Sequence, residues 1–369
     1  MAAVSALDQL VGKPMSVLHF GSPFVDCWTS PCTYYEFPTQ TMTTIRSAGI
    51  IPFLSWSSVS TPASPDFPDS LAAVISGRYD AYIRQFALAA KAWAHPFFLR
   101  FDWEMNGNWF PWSEGINGNQ PGQYVAAWRH VHDIFTSVGA TNATWVWCPN
   151  ADPLGVYTSP AELYPGNAYV DWTCLDGYNW GSLHAAPYAW MSFDDTFKST
   201  YDEIANTIAP SKPMIIGEVA STEAGGSKAA WITNMLSELP TQYPQIHGVV
   251  WMDNNNSLSN VNWPIESSSS ATAAFAGGIR SPDYLSDIFA NLEGGPVAAP
   301  GPSMAGAAEA RPAAVAPGEA APTLTTRDEG TPTATAHHAE PKKKTVSRKR
   351  KKERRRKRQR KAKRRSRRR

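Results

Sequence analysis

Residues 97–112 read FFLRFDWEMNGNWFPW. The first five residues form a short apolar run, and the segment after them is polar and contains glycine, which is typical of a buried strand that opens into a loop. One carboxylate, Glu104, lies in that loop among tryptophans and an amide. Apolar surroundings raise the pKa of a carboxylic acid, and aromatic rings stack on sugar rings. The stretch therefore predicts an active-site strand end that holds a carbohydrate, and the alternative is a solvated glutamate beside core tryptophans.

Strand-like and helix-like segments alternate on both sides of this stretch. Apolar runs predict seven strands, at 16–20, 50–56, 97–101, 144–148, 174–178, 214–217 and 247–252. Helical spacing of apolar residues predicts helices near 3–11, 41–48, 78–94, 121–138, 194–208, 227–239 and 283–292. Such alternation indicates parallel β/α units, and hence an α/β protein of the (β/α)8 TIM-barrel class. Seven strands are one fewer than the class requires, and a helix opens the chain, so we expect the first strand to be the missing one.

Functional residues of such barrels lie at the carboxyl ends of the strands. In this sequence those ends carry Trp56, Glu104, Asn150, Tyr178, Glu218 and Trp251. Two carboxylates together with aromatic and amide groups on one face suit glycoside hydrolysis, in which one carboxylate attacks and the other transfers protons. Weaker candidates for the cleft are His19 and Asp102, whereas Asp253 favours a loop cap and Asn106 either binds sugar or shapes the turn.

Composition restricts the class of partner. The chain has 369 residues, of which 43% are hydrophobic and 15 are Trp, more than packing requires and suited to a carbohydrate cleft, although a large core would also use them. Residues 1–293 hold 11 Lys and Arg against 26 Asp and Glu, a formal charge of −15. Phosphates would be repelled by this charge, so we expect a neutral polysaccharide partner and no sequence-specific nucleic acid.

Four cysteines, Cys27, Cys32, Cys148 and Cys174, lack the CxxC spacing of a zinc site, so no metal or cofactor is expected. Pairs Cys27–Cys32 and Cys148–Cys174 are plausible disulfides, and free buried thiols are the alternative. Scarce lysine outside the C-terminal region fits an extracellular or cell-surface protein, although the first 15 residues do not have the pattern of a signal peptide. No run of 18 apolar residues predicts a membrane span.

The C-terminal part of the chain has a different composition. We predict a catalytic domain over 1–293, a disordered linker rich in Pro and Ala over 294–341, and a disordered polybasic tail over 342–369. The tail holds 21 Lys and Arg and one acidic residue, Glu353. Clustered positive charge predicts binding to anionic polymers, and the alternative is a solvated end without a partner.

The segment RFDWEMNGNWFPW (100–112) resembles the acid/base motif of glycoside hydrolase family 26, the β-mannanase family of the retaining (β/α)8 glycosidases. The segment MIIGEVAS (214–221) resembles the nucleophile strand of that family. Further strand ends, TWVWCPN, DWTCLDGYNW and GVVWMD, also resemble those of the family. The resemblance covers about residues 1–292.

The resemblance implies roles for individual residues. It makes Glu104 the acid/base and Glu218 the nucleophile, with Tyr178 hydrogen-bonded to the nucleophile. It also places Trp109 and Trp251 around the sugar that is cleaved, and the same cleft gives Trp103 and Asn106 as substrate-binding candidates. Two departures are visible: Trp103 stands where the family usually has His, and the family's first strand lies upstream of a helix like Ala3–Val11.

These observations predict a retaining endo-glycosidase acting on β-1,4-linked mannan-type polysaccharide. A β-1,3-1,4-glucanase or a xylanase on the same scaffold is an alternative, because mannan and glucan differ in the orientation of one hydroxyl. The alternative from another class is a non-catalytic carbohydrate-binding protein.

Overall fold

The computed structural model describes residues 1–151, 158–185, 189–254, 261–286 and 292–300. The strands are β1 Val17–Asp26, β2 Thr33–Tyr34, β3 Ile51–Thr61, β4 Phe97–Phe101, β5 Ala143–Trp147, β6 Trp172–Asn179, β7 Met214–Ser221 and β8 Ile246–Trp251. The helices are α1 Ala2–Val11, α2 Thr39–Ser47, α3 Leu71–Ile75, α4 Asp80–Trp93, α5 Gln123–Val138, α6 Phe193–Glu203, α7 Lys228–Gln242 and α8 Ser269–Gly278.

The strands form one sheet in the order β2-β1-β3-β4-β5-β6-β7-β8. Strand β2 pairs with β1 in antiparallel orientation, and all other pairings are parallel. The seven predicted strands are therefore present, parallel to one another and most of them separated by helices. Within the described ranges no ladder joins β8 to β1, which agrees with a barrel that has one parallel strand fewer than eight.

The core lies between the sheet and the helices. All five residues of β4 are buried, as expected for a strand covered on both faces. Helix α4 buries Ile83, Phe86, Ala87, Ala90 and Trp93, a stripe at helical spacing. Trp56, predicted at a functional strand end, is fully buried and stacks on Phe86 at 4.2 Å between ring centroids. It therefore belongs to this core and not to the cleft.

Several segment boundaries differ from those predicted. Strands β1 and β3 continue six and five residues beyond the predicted ends at 20 and 56. The residues after those ends pair with each other as far as Asp26 and Thr61. Helices α3 and α8 were not predicted, since the first is only five residues long and the second is rich in Ser, Ala and Gly. Of the helix predicted near 283–292, residues 287–291 lie outside the described ranges, and residues 281–284 form a turn.

The folded domain extends past the predicted boundary at 293/294. The carbonyl of Val297 accepts the Trp172 indole N–H at 2.7 Å, and its N–H donates to Thr144 Oγ1 at 2.8 Å. Val297 and Ala299 pack on the core, and two small apolar side chains give the segment no periodicity that would reveal it. The rest of the predicted linker and the whole tail lie outside the described residues. In the part of the chain that the structure describes, no helix is both long and apolar enough to cross a membrane.

Both predicted cysteine pairs are disulfides. Cys27–Cys32 closes a short loop after β1, and Cys148–Cys174 joins the end of β5 to the neighbouring strand β6. The alternative of free buried thiols is therefore wrong.

Candidate active site

Arg100, a fully buried residue of β4, is the centre of a polar cluster inside the apolar barrel. Its Nη1 donates to Asp176 Oδ2 at 2.5 Å, and its Nη2 contacts Glu218 Oε1 in a second buried ion pair. Its Nε donates to Ser55 Oγ at 2.7 Å. His19 Nε2 lies 3.1 Å from Nη2 and must accept, because a guanidinium can only donate. Residues from four other strands thus converge on one cation.

Glu218 lies on β7 with both carboxylate oxygens held. The Tyr178 hydroxyl donates to Oε2, while Arg100 holds Oε1. Burial alone would raise the pKa of Glu218, but the adjacent guanidinium and the Tyr178 hydrogen bond outweigh it and lower the pKa below its ordinary value. The side chain is therefore an ionised carboxylate across the neutral pH range.

Glu104 lies three residues beyond the end of β4, with 7% of its surface exposed. Its Oε2 accepts the Trp109 indole N–H at 2.7 Å, and its Oε1 accepts the Asn150 amide at 2.7 Å. Burial, followed by the negative charge of Glu218, raises the pKa of Glu104 to about 7. Half of its population is therefore protonated near neutral pH.

The loop that carries Glu104 has an unusual backbone. Asp102 and Glu104 adopt φ values of 40° and 51°, in the left-handed region that side chains disfavour. The Asp102 carboxylate, which accepts the N–H and hydroxyl of Ser58 at 2.8 and 2.7 Å, braces the first position, and a bond from the Glu104 N–H to the Cys148 carbonyl at 2.7 Å braces the second. Gly107 is required because a Cβ there would lie 2.4 Å from the Trp109 ring, which folds back to reach Glu104.

The charges of the cluster are unequal. One guanidinium faces three carboxyl groups in a buried site, and a single cation cannot keep all three ionised in a low dielectric. Burial raises the pKa of Asp176 well above its ordinary value in spite of the pairing with Arg100. Glu218 is the carboxyl whose pKa is lowered. The site therefore holds one anion and one proton donor in the same cluster.

Aromatic rings cover the side of the site formed by β6, β8 and the loop after β8. Tyr178 stacks on Trp263 at 5.2 Å between centroids, and the Trp251 indole donates to the Trp263 carbonyl at 2.9 Å. The buried ammonium of Lys228 donates to the carbonyls of residues 262–264 at 2.6–2.9 Å and fixes that loop. In this aromatic wall, Tyr178 and Trp251 are partly exposed and can stack on the apolar face of a sugar, whereas Trp263 is 3% exposed and packs against Tyr178.

Comparison with known proteins identifies the family. Residues 69–215 match the sequence profile described as "Glycosyl hydrolase family 26". Residues 69–215 belong to this family. Endoglucanase H of Acetivibrio thermocellus is 35% identical to this chain over 278 residues, which is 74% of this chain and 28% of that protein. Mannan endo-1,4-beta-mannosidase A and B of Caldalkalibacillus mannanilyticus is 29% identical over 157 residues, which is 41% of this chain and 26% of that protein.

The chain thus spans about a quarter of the length of these two relatives. A family 26 β-mannanase from Bacteroides ovatus has a similar fold, with a TM-score of 0.52 and 16% identity over 78% of this chain and 85% of that one. A mannanase of Bacillus subtilis gives 0.50 and 15% over 74% of this chain and 80% of that one. The predicted glycosidase family and the barrel class are confirmed.

Some of the residues predicted for this site make contacts with other residues of the protein. Asn106 is fully buried, and its amide both donates to the Asn150 carbonyl and accepts the Asn150 N–H, each at 2.8 Å, contacts that shape the loop. Trp103 is 9% exposed and packs over the Arg100 guanidinium at 4.9 Å. Asp253 accepts the Ile265 N–H at 2.7 Å, as expected for a loop cap.

The substrate-binding set given by the sequence did not include three residues that complete the site. Arg100 and Asp176 could have been found from a charged residue inside each of two buried apolar runs, FFLRF and CLDGY. Trp263 had no such signal, because it reaches the site only through the folding of the loop after β8.

The described residues contain one group of candidate metal ligands, formed by Cys148, Cys174 and Asp176. The two sulfurs are joined in a disulfide and offer no thiolate, so this group does not have the donors of a metal site.

Substitution Arg100→Met is expected to lower the free energy of unfolding by about 3–5 kcal/mol, because it leaves the carboxyl groups of Asp176 and Glu218 buried without their cation. Urea unfolding followed by circular dichroism measures this change. Arg84→Met, on the exposed face of α4, is the control and should change the value by less than about 0.5 kcal/mol. A loss as small for Arg100 as for Arg84 would contradict the cluster described above.

The pH dependence of hydrolysis tests the hydrogen bond from the Trp109 indole to Glu104. A residue that must donate a proton loses activity above its pKa, so kcat/KM should fall above pH about 7. In Trp109→Phe the carboxylate loses one hydrogen bond, the pKa of Glu104 rises, and the alkaline limb should move to higher pH. Trp112→Phe is the matched control, because the Trp112 indole donates to the Trp103 carbonyl and not to Glu104. Equal alkaline limbs in the two variants would refute the role of this bond.

Proposed function

We propose that this protein is a retaining endo-glycoside hydrolase that cleaves β-1,4-linked mannan-type polysaccharide. The observation that carries the proposal is that two buried carboxyl groups have different partners, Glu104 the Trp109 indole and the Asn150 amide, and Glu218 the Arg100 guanidinium and the Tyr178 hydroxyl. The pKa of Glu104 is raised to about 7, and that of Glu218 is lowered. A retaining glycosidase needs one neutral acid and one ionised nucleophile, about 5–5.5 Å apart, on the two sides of the scissile bond.

In the first step Glu218 attacks the anomeric carbon, and Glu104 gives its proton to the leaving glycosidic oxygen. The attack forms a glycosyl ester on the Glu218 carboxylate and consumes its negative charge. Arg100 and Tyr178 hold that carboxylate in place before attack, which removes the need to order it during the reaction.

In the second step Glu104 is ionised and acts as the base for a water molecule that attacks the anomeric carbon. Once Glu218 is esterified, its negative charge no longer raises the pKa of Glu104, so the pKa falls. The same residue is thus protonated to a larger extent before the first step and ionised to a larger extent before the second. Two inversions return the anomeric configuration to that of the substrate.

A β-1,4-mannan substrate is supported by the relatives named as mannan endo-1,4-beta-mannosidases. The acidic domain and the aromatic wall suit a neutral polymer. Reducing-sugar release from mannan, mixed-linkage β-glucan and xylan tests the proposal. We expect the highest rate on mannan, and no release from any of the three would refute a hydrolytic function.

A β-1,3-1,4-glucanase is the second candidate. It is favoured by one observation, the 35% identity to a relative named Endoglucanase H, which exceeds the identity to the mannosidases named with it. A higher rate on mixed-linkage glucan than on mannan would support it. Xylan as the preferred substrate would indicate a xylanase. Binding of a glycan without release of reducing sugar would indicate a non-catalytic carbohydrate-binding protein.

We also propose that the protein works outside the cell or at its surface. Two disulfides support this proposal, because disulfides form and persist in oxidising compartments.

We further propose that residues 342–369 hold the protein on anionic polymers independently of catalysis. The segment carries 21 Lys and Arg, and such attraction weakens as salt screens it. Deleting 342–369 should leave the hydrolysis of a short soluble oligosaccharide unchanged and reduce retention on an anionic resin at low salt. A large loss of rate on the short substrate would refute independence, because the tail would then affect the cleft.

A further inference from the structure

We propose that the Cys148–Cys174 disulfide is a positioning element that holds the supports of Glu104 and Glu218 in register. The inference rests on the proposed function of the two glutamates. The hydrogen-bonded ladder between β5 and β6 has only two register pairs, Val146↔Trp172 and Trp147↔Thr173. Cys148 and Cys174 are the next pair in that register. The disulfide therefore lies between this ladder and the Asn150↔Asp176 bridge, in which the Asp176 N–H donates to the Pro149 carbonyl at 3.2 Å and the Ala151 N–H donates to the Asp176 carbonyl at 2.7 Å.

The β5 side of the disulfide carries the supports of Glu104. The Cys148 carbonyl accepts the Glu104 N–H at 2.7 Å and fixes the position of its backbone. Two residues later, the Asn150 amide donates to Glu104 Oε1 at 2.7 Å. A shift of the segment 148–150 would thus move the proposed proton donor.

The β6 side carries the supports of Glu218. Asp176, two residues beyond Cys174, fixes the Arg100 guanidinium that holds the Glu218 carboxylate. Cys148 Sγ lies 3.7 Å from Arg100 Nη1. The disulfide also packs directly on Gly217, the neighbour of Glu218, because a Cβ at that position would lie 2.6 Å from Cys174 Sγ. One covalent bond therefore touches the surroundings of both carboxyl groups.

Opening the disulfide changes this geometry. A dithiol reductant supplies two electrons and two protons, so that the S–S bond breaks, two thiols form and the reductant becomes a cyclic disulfide. Two thiol sulfurs cannot remain at bonding distance. They must separate inside a fully buried cluster in which Cys148 Sγ contacts both Arg100 and Asp176, so we expect these two side chains to move with them. A misplacement of about 1 Å lowers the rate of an enzyme by up to about 100-fold.

The test uses Cys148→Ala/Cys174→Ala, with Cys27→Ala/Cys32→Ala as the matched control. The control removes the other disulfide, which closes a five-residue separation after β1 and does not contact the residues of the Arg100 cluster through any described bond. On a short soluble oligosaccharide we expect kcat to fall about 10- to 100-fold in the first variant with KM changed much less. The control should keep its kcat within twofold.

The pH profile separates positioning from stability. The charged and titratable groups that face the two glutamates are His19 of β1, Arg100 of β4, and Asp176 and Tyr178 of β6. When the disulfide is removed, Glu218 is held less closely by Arg100 and its pKa rises. The hydrogen bond from Asn150 to Glu104 weakens as well, and the pKa of Glu104 also rises. Both limbs of the pH profile should therefore move to higher pH. A lower kcat with an unchanged profile would overturn the positioning role.

Two further measurements keep the test decisive if the alanine pair folds poorly. Cys148→Val/Cys174→Ala fills more of the space left by the sulfurs, and a kcat within twofold of wild type in this variant would overturn the proposal. Wild-type protein treated with dithiol, at a temperature where its circular dichroism is unchanged, should lose activity and regain it on reoxidation. Full activity with the Cys148 and Cys174 thiols trapped by alkylation would also overturn it. If the untreated wild type releases sugar from no glycan, the proposed function fails and not this inference alone.

Discussion

Replacing Glu218 by alanine is expected to lower kcat by at least about 10⁴-fold while the protein still binds its glycan. The Glu218 carboxylate would form the bond to the anomeric carbon. It is the carboxyl group of the cluster whose pKa is lowered, whereas the pKa of both Glu104 and Asp176 is raised. Binding should survive, since stacking on the aromatic wall around Trp251 does not use this carboxylate. Calorimetric titration with an oligosaccharide, beside a rate assay, measures both quantities.

Azide gives this experiment a chemical control. The space left in Glu218→Ala can admit a small external nucleophile, so azide should restore part of the rate on a substrate with a good leaving group and yield an α-glycosyl azide. Glu162→Ala, at an exposed position before β6, should leave kcat unchanged. Near-normal hydrolysis by Glu218→Ala without azide would show that another residue is the nucleophile.

Replacing Glu104 by alanine should produce the second-largest loss, about 10²- to 10⁴-fold in kcat/KM on the natural polysaccharide. The reason is that a poor leaving group requires a proton in the transition state, and Glu104 is the carboxyl placed and tuned to supply it. On an aryl glycoside whose leaving group needs no proton, the bond-cleaving step should be affected far less. The alkaline limb of the pH profile should disappear in this variant.

The two variants are distinguishable by the product formed with azide. In Glu104→Ala azide enters in place of water during the second step, and the expected product is a β-glycosyl azide. The same loss on the polysaccharide and on the aryl glycoside would contradict a proton-donating role and would favour a role in binding alone.

The sequence predicted the strands well because parallel strands covered on both faces are short apolar runs, which stand out from amphipathic helices. The meeting of Glu104 and Glu218 followed from the same pattern, since parallel strands bring their carboxyl ends to one edge, although Glu218 lies within β7, which continues to Ser221 and not only to the predicted end at 217. Helix α8 was missed because SSATAAFAGG has no apolar stripe, and it packs through small residues such as Ala271 and Ala276.

The parts of the site that could not be predicted depend on contacts between distant segments. Arg100 meets Asp176 and Glu218 only after three strands are aligned, and the sequence does not contain that register. The role of Asn106 was open for the same reason, because only the folded loop shows that Asn150 occupies its amide. Trp263 enters the wall through a loop that Lys228, 35 positions earlier, holds with its ammonium group.

The central claim is that Glu218 forms a covalent bond with the sugar. Incubation with an activated 2-deoxy-2-fluoro glycoside slows the breakdown of a glycosyl-enzyme, so that mass spectrometry of the digested protein can locate the adduct. The account predicts one added sugar on the peptide that contains Glu218, together with proton NMR spectra in which the first product of hydrolysis has the β configuration of the substrate. An adduct on another residue, or a first product of the α configuration, would contradict it.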